Sequence, residues 1–307
     1  MKPAKRIDLY LMVALLVVYV VWGTTYYAMR VALHAYQPFF MCALRFLLAG
    51  MLLFGYTALT GQLRVTRRLL FDALVTGVLL VTLGNGLVVL AEQYVSSGIA
   101  ALVISAESVM ILLLSFLYGR RIGRWQGVGV VLCLVGVVLL AIGSDLRYSP
   151  VALAALLIAA AAWAMGSIWS AYHARSDSSL SLVSIQMLIG GAISFVVAWA
   201  LDERMTLSDA LHPNIAMVYL AIFGSIATFV SYNYLMRTVS ASLAISYAYV
   251  NPAIAFVVGC LFDDDKLTLS TSLSLLAILA GVWLIVKYEQ NEKNAEAANN
   301  EETVAQT

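Results

Sequence analysis

Ten stretches of this chain are long and apolar enough to cross a bilayer, and that sets the solvent in which it can fold. A spanning helix needs about 20 mostly apolar residues. The predicted stretches are Leu9 to Val31, Pro38 to Leu59, Leu69 to Leu90, Ser97 to Tyr118, Trp125 to Ile142, Val151 to Tyr172, Leu180 to Leu201, Ile215 to Met236, Ala241 to Phe262 and Leu267 to Lys287. Of the 307 residues only 11% are charged, against roughly 25% in a soluble domain. A water-soluble fold with so little charge could not cover its own core. The expected class is an all-α membrane protein of ten transmembrane helices, with the lipid bilayer as its surroundings.

The ends of the chain are polar. The basic segment Met1 to Arg6 ahead of an apolar run resembles a signal peptide. However, the run from Leu9 to Tyr27 is about long enough to span, and no small-residue cleavage site follows it. It is read as a retained first helix. The segment Tyr288 to Thr307 has few apolar residues and is expected to be a disordered tail, residues 288–307. A net charge of +1 gives no sign of nucleic acid. Cys42, Cys133 and Cys260 sit in apolar runs without a C-x-x-C pair, so packing is expected, with no metal and no cofactor.

Connections between the stretches are short, so neighbouring helices should be antiparallel. Lys and Arg concentrate on the side of the N-terminus, in the clusters Lys2, Lys5, Arg6, then Arg64, Arg67, Arg68, then Arg120, Arg121, Arg124. The other side holds Arg30, Arg147, Arg204 and Lys266, together with the acids Asp202, Glu203, Asp209 and Asp263 to Asp265. The positive-inside rule then puts both termini in the cytoplasm. The Asp263 to Asp265 run is expected to be a solvated outer face.

The chain also repeats itself. Trp22 in helix 1 answers to Trp163 in helix 6, Val95-Ser96-Ser97 to Val239-Ser240-Ala241, and Gly136 to Gly281. Five is odd, so two five-helix halves must enter the membrane from opposite sides. The expected architecture is two inverted repeats, residues 1–146 and 147–287, of the kind associated with alternating access around a central site.

Polar residues inside the bilayer are the informative ones, because ionisable groups at its centre cost about 2.5–3.5 kcal/mol on insertion scales. Arg45 and Glu92 lie at similar depths, so an ion pair that fixes packing is expected, with a gating or cavity-facing role as the alternative. Glu107 falls near the midplane of helix 4. Desolvation there penalises the charged form, which makes Glu107 the proton-coupling candidate; the alternative is a neutral acid bonded to a neighbouring helix. Trp22 and Tyr26, Trp163, Ser167 and Ser170, Ser225, Thr228 and Tyr232, and Tyr247 and Asn251 recur at helical spacing, and Asn85 stands between Gly84 and Gly86. Such stripes face the bundle interior, either as interhelical bonding or as a pocket. The substrate-binding residues expected from them are Trp22, Tyr26, Asn85, Glu107, Trp163, Ser167, Tyr232, Tyr247 and Asn251. Pro252 removes a backbone donor and is expected to kink helix 9. Gly129, Gly136 and Gly143 share one face of helix 5, where close packing is favoured over a hinge.

The chain resembles the drug/metabolite transporter superfamily, specifically EamA-type permeases with two five-helix repeats. The segments that carry the resemblance are Trp22-Gly23, Ala43-Leu44-Arg45, Gly84-Asn85-Gly86 running on to Ala91-Glu92, Ser97-Gly98-Ile99-Ala100-Ala101 and Ser246-Tyr247-Ala248-Tyr249-Val250-Asn251-Pro252. The resemblance implies a multi-pass protein of the bacterial inner membrane that exports small metabolites, such as amino acids, or toxic compounds. It implies a central cavity to which helices 1, 3, 4, 6, 8 and 9 contribute. Two departures stand out. Ser108 occupies the place of a usual helix 4 proline, which puts a kink there in doubt, and Gly119-Arg120 replaces a usual Gly-Glu pair.

The expected function is therefore a secondary transporter of a small-molecule substrate, working by alternating access. The alternatives are an intramembrane enzyme and a channel or scaffold. The three histidines lie at helix ends, and no H-E-x-x-H, Gly-x-Ser-x-Gly or P-loop motif occurs; an enzyme is not expected.

Overall fold

The computed structural model describes residues 9–117, 123–143, 149–172, 179–239, 246–263 and 268–305. Among these, every regular element is helical. The helices are α1 (Leu9–Ala32), α2 (Pro38–Leu59), α3 (Arg67–Ala91), α4 in two parts (Ser97–Ile104 and Glu107–Leu117), α5 (Arg124–Gly143), α6 (Pro150–Tyr172), α7 (Ser179–Ala200), α8 (Leu211–Thr238), α9 (Tyr247–Phe262) and α10 (Leu269–Ala305). Seven of the described helices, α1 to α4 and α6 to α8, are long and apolar enough to cross a membrane. The apolar parts of α5, α9 and α10, at Arg124–Leu140, Val250–Phe262 and Leu269–Ile285, are shorter. The polar segment expected to be disordered continues α10 as helix to Ala305; its Ala and Glu residues favour that conformation. Gly119 to Arg121, Arg147, Tyr148, His173, Arg175, Ser240 and Ala241, and Asp264 to Lys266 lie outside the described residues.

Helix ends are closed by side chains. Pro38 begins α2, where a missing N–H costs nothing. The next two amides, Phe39 N–H and Phe40 N–H, donate to the Glu203 carboxylate at 3.1 and 2.7 Å. Thr66 caps α3 by accepting from Leu69 N–H at 3.1 Å.

Lipid offers no hydrophobic drive for helices to associate, so close backbone approach has to hold them. The α5–α10 contact depends on glycine. A Cβ on Gly281 would stand 2.6 Å from the Gly129 carbonyl oxygen, and one on Gly136 would meet Ile278 at 2.6 Å. The packing role expected for Gly129 and Gly136 is therefore seen directly. Gly77 of α3 and Gly190 of α7 cross in the same way.

Among the described residues three helices contain π-helical stretches: Val17–Val21 in α1, Gly77–Asn85 in α3 and Ile222–Ala227 in α8. A π-turn leaves carbonyls without their regular partners, and such bulges gather at functional sites. Here each is met by a side chain. The Asn251 amide faces the Val18 and Tyr19 carbonyl oxygens, its nitrogen donating at 3.1 and 2.9 Å. Asn85 Nδ2 donates to Leu80 O at 2.7 Å, and Arg45 Nη2 to Gly224 O at 2.6 Å.

Candidate functional site

Two of the π-bulged helices, α1 and α3, with α4, α6 and α9, line a cavity of about 60 Å³; α8, expected to contribute, places no residue in its wall. Its walls include Trp22, Tyr26, Asn85, Glu107, Trp163, Tyr247 and Asn251, all expected from the sequence, and also Thr25, Met29, Gly84, Val88, Ile104 and Ala159. Thr25 and Met29 continue the helical spacing that begins at Trp22, so their positions were legible. Gly84, Val88, Ile104 and Ala159 carry no polar signal that could have marked them.

Aromatic rings form the cavity's inner wall. Trp22 is the hub, with ring centroids 5.4 Å from Trp163, 5.1 Å from Tyr247, 5.5 Å from Tyr232 and 5.7 Å from Phe229. Most of these contacts are edge-on, the favoured geometry for aromatic pairs. Trp22 can stand so close to α9 because its neighbour Gly23 leaves room for Ile254, which a Cβ would meet at 2.8 Å.

Glu107 supplies the carboxyl group of the cavity wall. Helix α4 breaks at Ser105 and Ala106, and Glu107 opens its second part. The break needs no proline: Ser105 Oγ returns to Leu102 O at 2.6 Å, and Ala106 N–H takes Val103 O at 3.0 Å. The doubt raised by Ser108 is thus answered. The helix is interrupted three residues before it. Discontinuous helices are a recurring way to build transporter sites. The Glu107 carboxyl group is hydrogen-bonded to the Tyr247 hydroxyl, which also accepts from Trp163 Nε1 at 3.0 Å. This chain links α6, α9 and α4.

Ser167 and Tyr232 stand behind the wall. They bond to each other at 3.0 Å, and Tyr232 braces Trp22 and Tyr247 through its ring. Ser170, Ser225 and Thr228 serve the helices themselves: Ser170 and Thr228 donate to carbonyls one turn back, and Ser225 accepts from Arg45.

Arg45 differs from expectation. Its guanidinium is buried and turned to Ser225 Oγ at 2.8 Å, Gly224 O at 2.6 Å and Met29 Sδ at 3.4 Å, so it joins α2 to the π-stretch of α8 and makes no ion pair with Glu92. Glu92 is buried at the end of α3, where its backbone carbonyl accepts from Arg30 Nη1. Pro252 lies buried inside α9.

The end of the bundle where α1 meets α2 holds a network that the sequence did not announce. Arg30 Nε lies 3.6 Å from Asp263 Oδ1, and Asp263 Oδ2 accepts from Ser97 N–H at 3.1 Å. With the Glu92 carbonyl, this ties together α1, α3, α4 and the end of α9. Asp263 is thus not on a solvated face; its side chain is only 11% exposed. Asp264 and Asp265 fall outside the described residues. Arg30 was counted only as a loop charge.

The fold and this site define a polytopic helical membrane protein built around a central cavity. The EamA-like transporter family model matches the chain twice, over residues 9–142 and 150–287. The chain belongs to that family, a family of transporters. It is 35% identical over 275 residues to the inner membrane transporter YedA of Escherichia coli, covering 89% of each chain. It is 25% identical over 264 residues to the transporter YdfC of Bacillus subtilis, covering 85% of this chain and 86% of that one. A WAT1-related chloroplastic protein of Arabidopsis thaliana is 24% identical over 88% of this chain and 68% of its own. One crystal structure superposes with a TM-score of 0.65 over 90% of this chain and 94% of its own at 20% identity, which speaks to the fold alone.

Proposed function

We propose that the protein is a secondary transporter that moves small amphipathic metabolites outward across the inner membrane by alternating access. In this reading ten helices cross the bilayer as two inverted five-helix repeats, with both termini in the cytoplasm. The observation that carries it is the composition of the cavity wall. Trp22, Tyr26, Asn85 and Glu107 come from the first matched stretch, and Trp163, Tyr247 and Asn251 from the second. A site shared by two repeats opens to one side or the other as the repeats rock. The relative from Escherichia coli carries the words "inner membrane transporter" in its name, in keeping with this location.

The cavity is contracted. A water needs roughly 10–15 Å³ of such space, so a cavity of about 60 Å³ has room for a few waters and falls short of a metabolite. Met29 lines the cavity and the next residue, Arg30, is held by Asp263 and the Glu92 carbonyl. In this reading that network is the outer gate in its closed position. Counterflow in sealed proteoliposomes tests the function. Transient accumulation of a labelled metabolite against its trapped unlabelled form identifies a carrier. Flux that rises linearly with concentration identifies a channel and rejects the proposal.

A further inference from the structure

The charge balance of the cavity is one-sided. Glu107 is a carboxyl group at the wall, and no lysine, arginine or histidine stands beside it among the described residues. Two buried or half-buried arginines are engaged elsewhere. Arg45 is turned to Ser225 and Gly224, and Arg30 to Asp263 and the Glu92 carbonyl.

The hydrogen-bond inventory leans the same way. The Asn251 nitrogen is spent on the Val18 and Tyr19 carbonyls, the Trp163 N–H on Tyr247 and the Thr25 hydroxyl on Trp22 O. The Tyr247 hydroxyl is spent on Glu107. Much of the wall's donor capacity is therefore satisfied internally, while the Asn251 carbonyl and the Glu107 carboxyl group keep capacity to accept.

The rings of Trp22, Trp163 and Tyr247 line the same cavity as that carboxyl group, with Trp22 within 5.4 Å of both others. Aromatic faces attract a cation by about 0.5–2 kcal/mol or more once it is desolvated, and Trp does so best. A carboxylate ligand would meet Glu107 with no counter-ion, and a buried unpaired charge is among the costliest things to hold. The apolar remainder of the wall, Met29, Val88 and Ile104, suits a hydrophobic body.

We propose that the cavity takes amphipathic organic cations, amines bearing an apolar or aromatic body, and discriminates against acids and amino acids. The ammonium group would lie against Glu107 within the Trp22, Trp163 and Tyr247 rings. This rests on the carrier reading above and narrows its substrate class.

Three probes with one aromatic body separate the charge types: 2-phenylethylamine as cation, phenylalanine as zwitterion and phenylacetate as anion. Binding is measured on the full chain in detergent by intrinsic tryptophan fluorescence and thermal stabilisation, and exchange in proteoliposomes. The expected order is 2-phenylethylamine first, with phenylalanine at least about tenfold weaker and phenylacetate without effect. Glu107→Gln should weaken 2-phenylethylamine binding at least about tenfold, while Glu107→Asp, as a check on folding, retains part of it. Equal or tighter binding of phenylalanine or phenylacetate overturns the proposal, as does undiminished 2-phenylethylamine binding in a folded Glu107→Gln variant or no binding of 2-phenylethylamine. The carrier reading fails separately: it falls if no solute of any charge exchanges in counterflow, even where 2-phenylethylamine binds.

Discussion

The indole of Trp22 meets that of Trp163 edge-on, with ring centroids 5.4 Å apart and planes at 77°. These are the two residues that the internal repeat places in correspondence, each at the same distance from the start of its matched stretch. Residues equivalent in sequence thus touch at the centre of the molecule, as the wall of one cavity. Two of the other helix pairings follow the same correspondence: α2 packs on α7, and α5 on α10.

Trp22 is the hub of that wall, in contact with four other rings. Trp22→Ala should destabilise the protein by roughly 3 kcal/mol, the lower end for truncating a buried Trp, because lipid adds no transfer term between helices. Trp163→Phe keeps a ring but removes the N–H that Tyr247 accepts. It should leave the melting temperature nearly unchanged and slow solute exchange. Thermal melting and counterflow on the same preparations separate the two effects.

Glu107 is placed to make transport depend on pH. The titratable side chains that feel its charge are Tyr26 from α1, Tyr232 from α8 and Tyr247 from α9; Glu92 of α3 acts on Tyr26. Protonating Glu107 removes the negative charge that would hold a cation. Binding of 2-phenylethylamine should therefore weaken as pH falls, and the residual binding of Glu107→Gln should be flat with pH. Titrating the dissociation constant of both proteins checks this; an unchanged pH profile in Glu107→Gln would remove Glu107 from the coupling.

The network of Arg30, Asp263 and Ser97, proposed above as the outer gate, predicts access. Asp263→Asn weakens the attraction to Arg30 and the hold on the Ser97 amide. A cysteine at Met29, in a Cys260→Ser background because Cys260 is the exposed native thiol, should then react faster with an impermeant thiol reagent added outside. An unchanged labelling rate would show that these residues do not gate the cavity.

Glycines at helix crossings differ sharply in what they tolerate. Gly281→Leu must force α10 away from the Gly129 carbonyl, a backbone atom 2.6 Å from the added Cβ, and should abolish the folded protein. Gly55→Ala meets nothing within 4 Å and should be neutral or stabilising by up to about 1 kcal/mol. Detergent-phase size-exclusion and thermal melting distinguish the two outcomes.

Much of this was legible because bilayer constraints are strong. Hydropathy marked where the helices run, and polar stripes at helical spacing picked out Trp22, Tyr26, Trp163, Tyr247 and Asn251 as inward-facing. The π-stretches were not legible: Gly77–Asn85 reads as ordinary apolar helix, since a change of one residue per turn leaves no compositional mark. The break of α4 before Glu107 was hidden for a similar reason. Ser105 and Ala106 are unremarkable in a helix, and the usual breaker, proline, is replaced by Ser108. Arg45 was read as a partner for Glu92 on depth alone, whereas its actual partner is a carbonyl freed by a π-turn in a helix far away in sequence. Asp263 was assigned to water because neighbouring acids suggested a solvated run, and only the fold brings Arg30 to it.

The central claim is that the cavity between the two repeats is the path of the transported solute. Thr25 lines it, and its hydroxyl bonds only to its own helix, so Thr25→Cys should fold. In a Cys260→Ser background, counterflow by this variant is measured before and after reaction with methyl methanethiosulfonate. The account predicts saturable counterflow that modification abolishes, with the unmodified-cysteine protein active and the Cys260→Ser parent insensitive to the reagent. Counterflow that persists undiminished after complete modification of Thr25→Cys would contradict it.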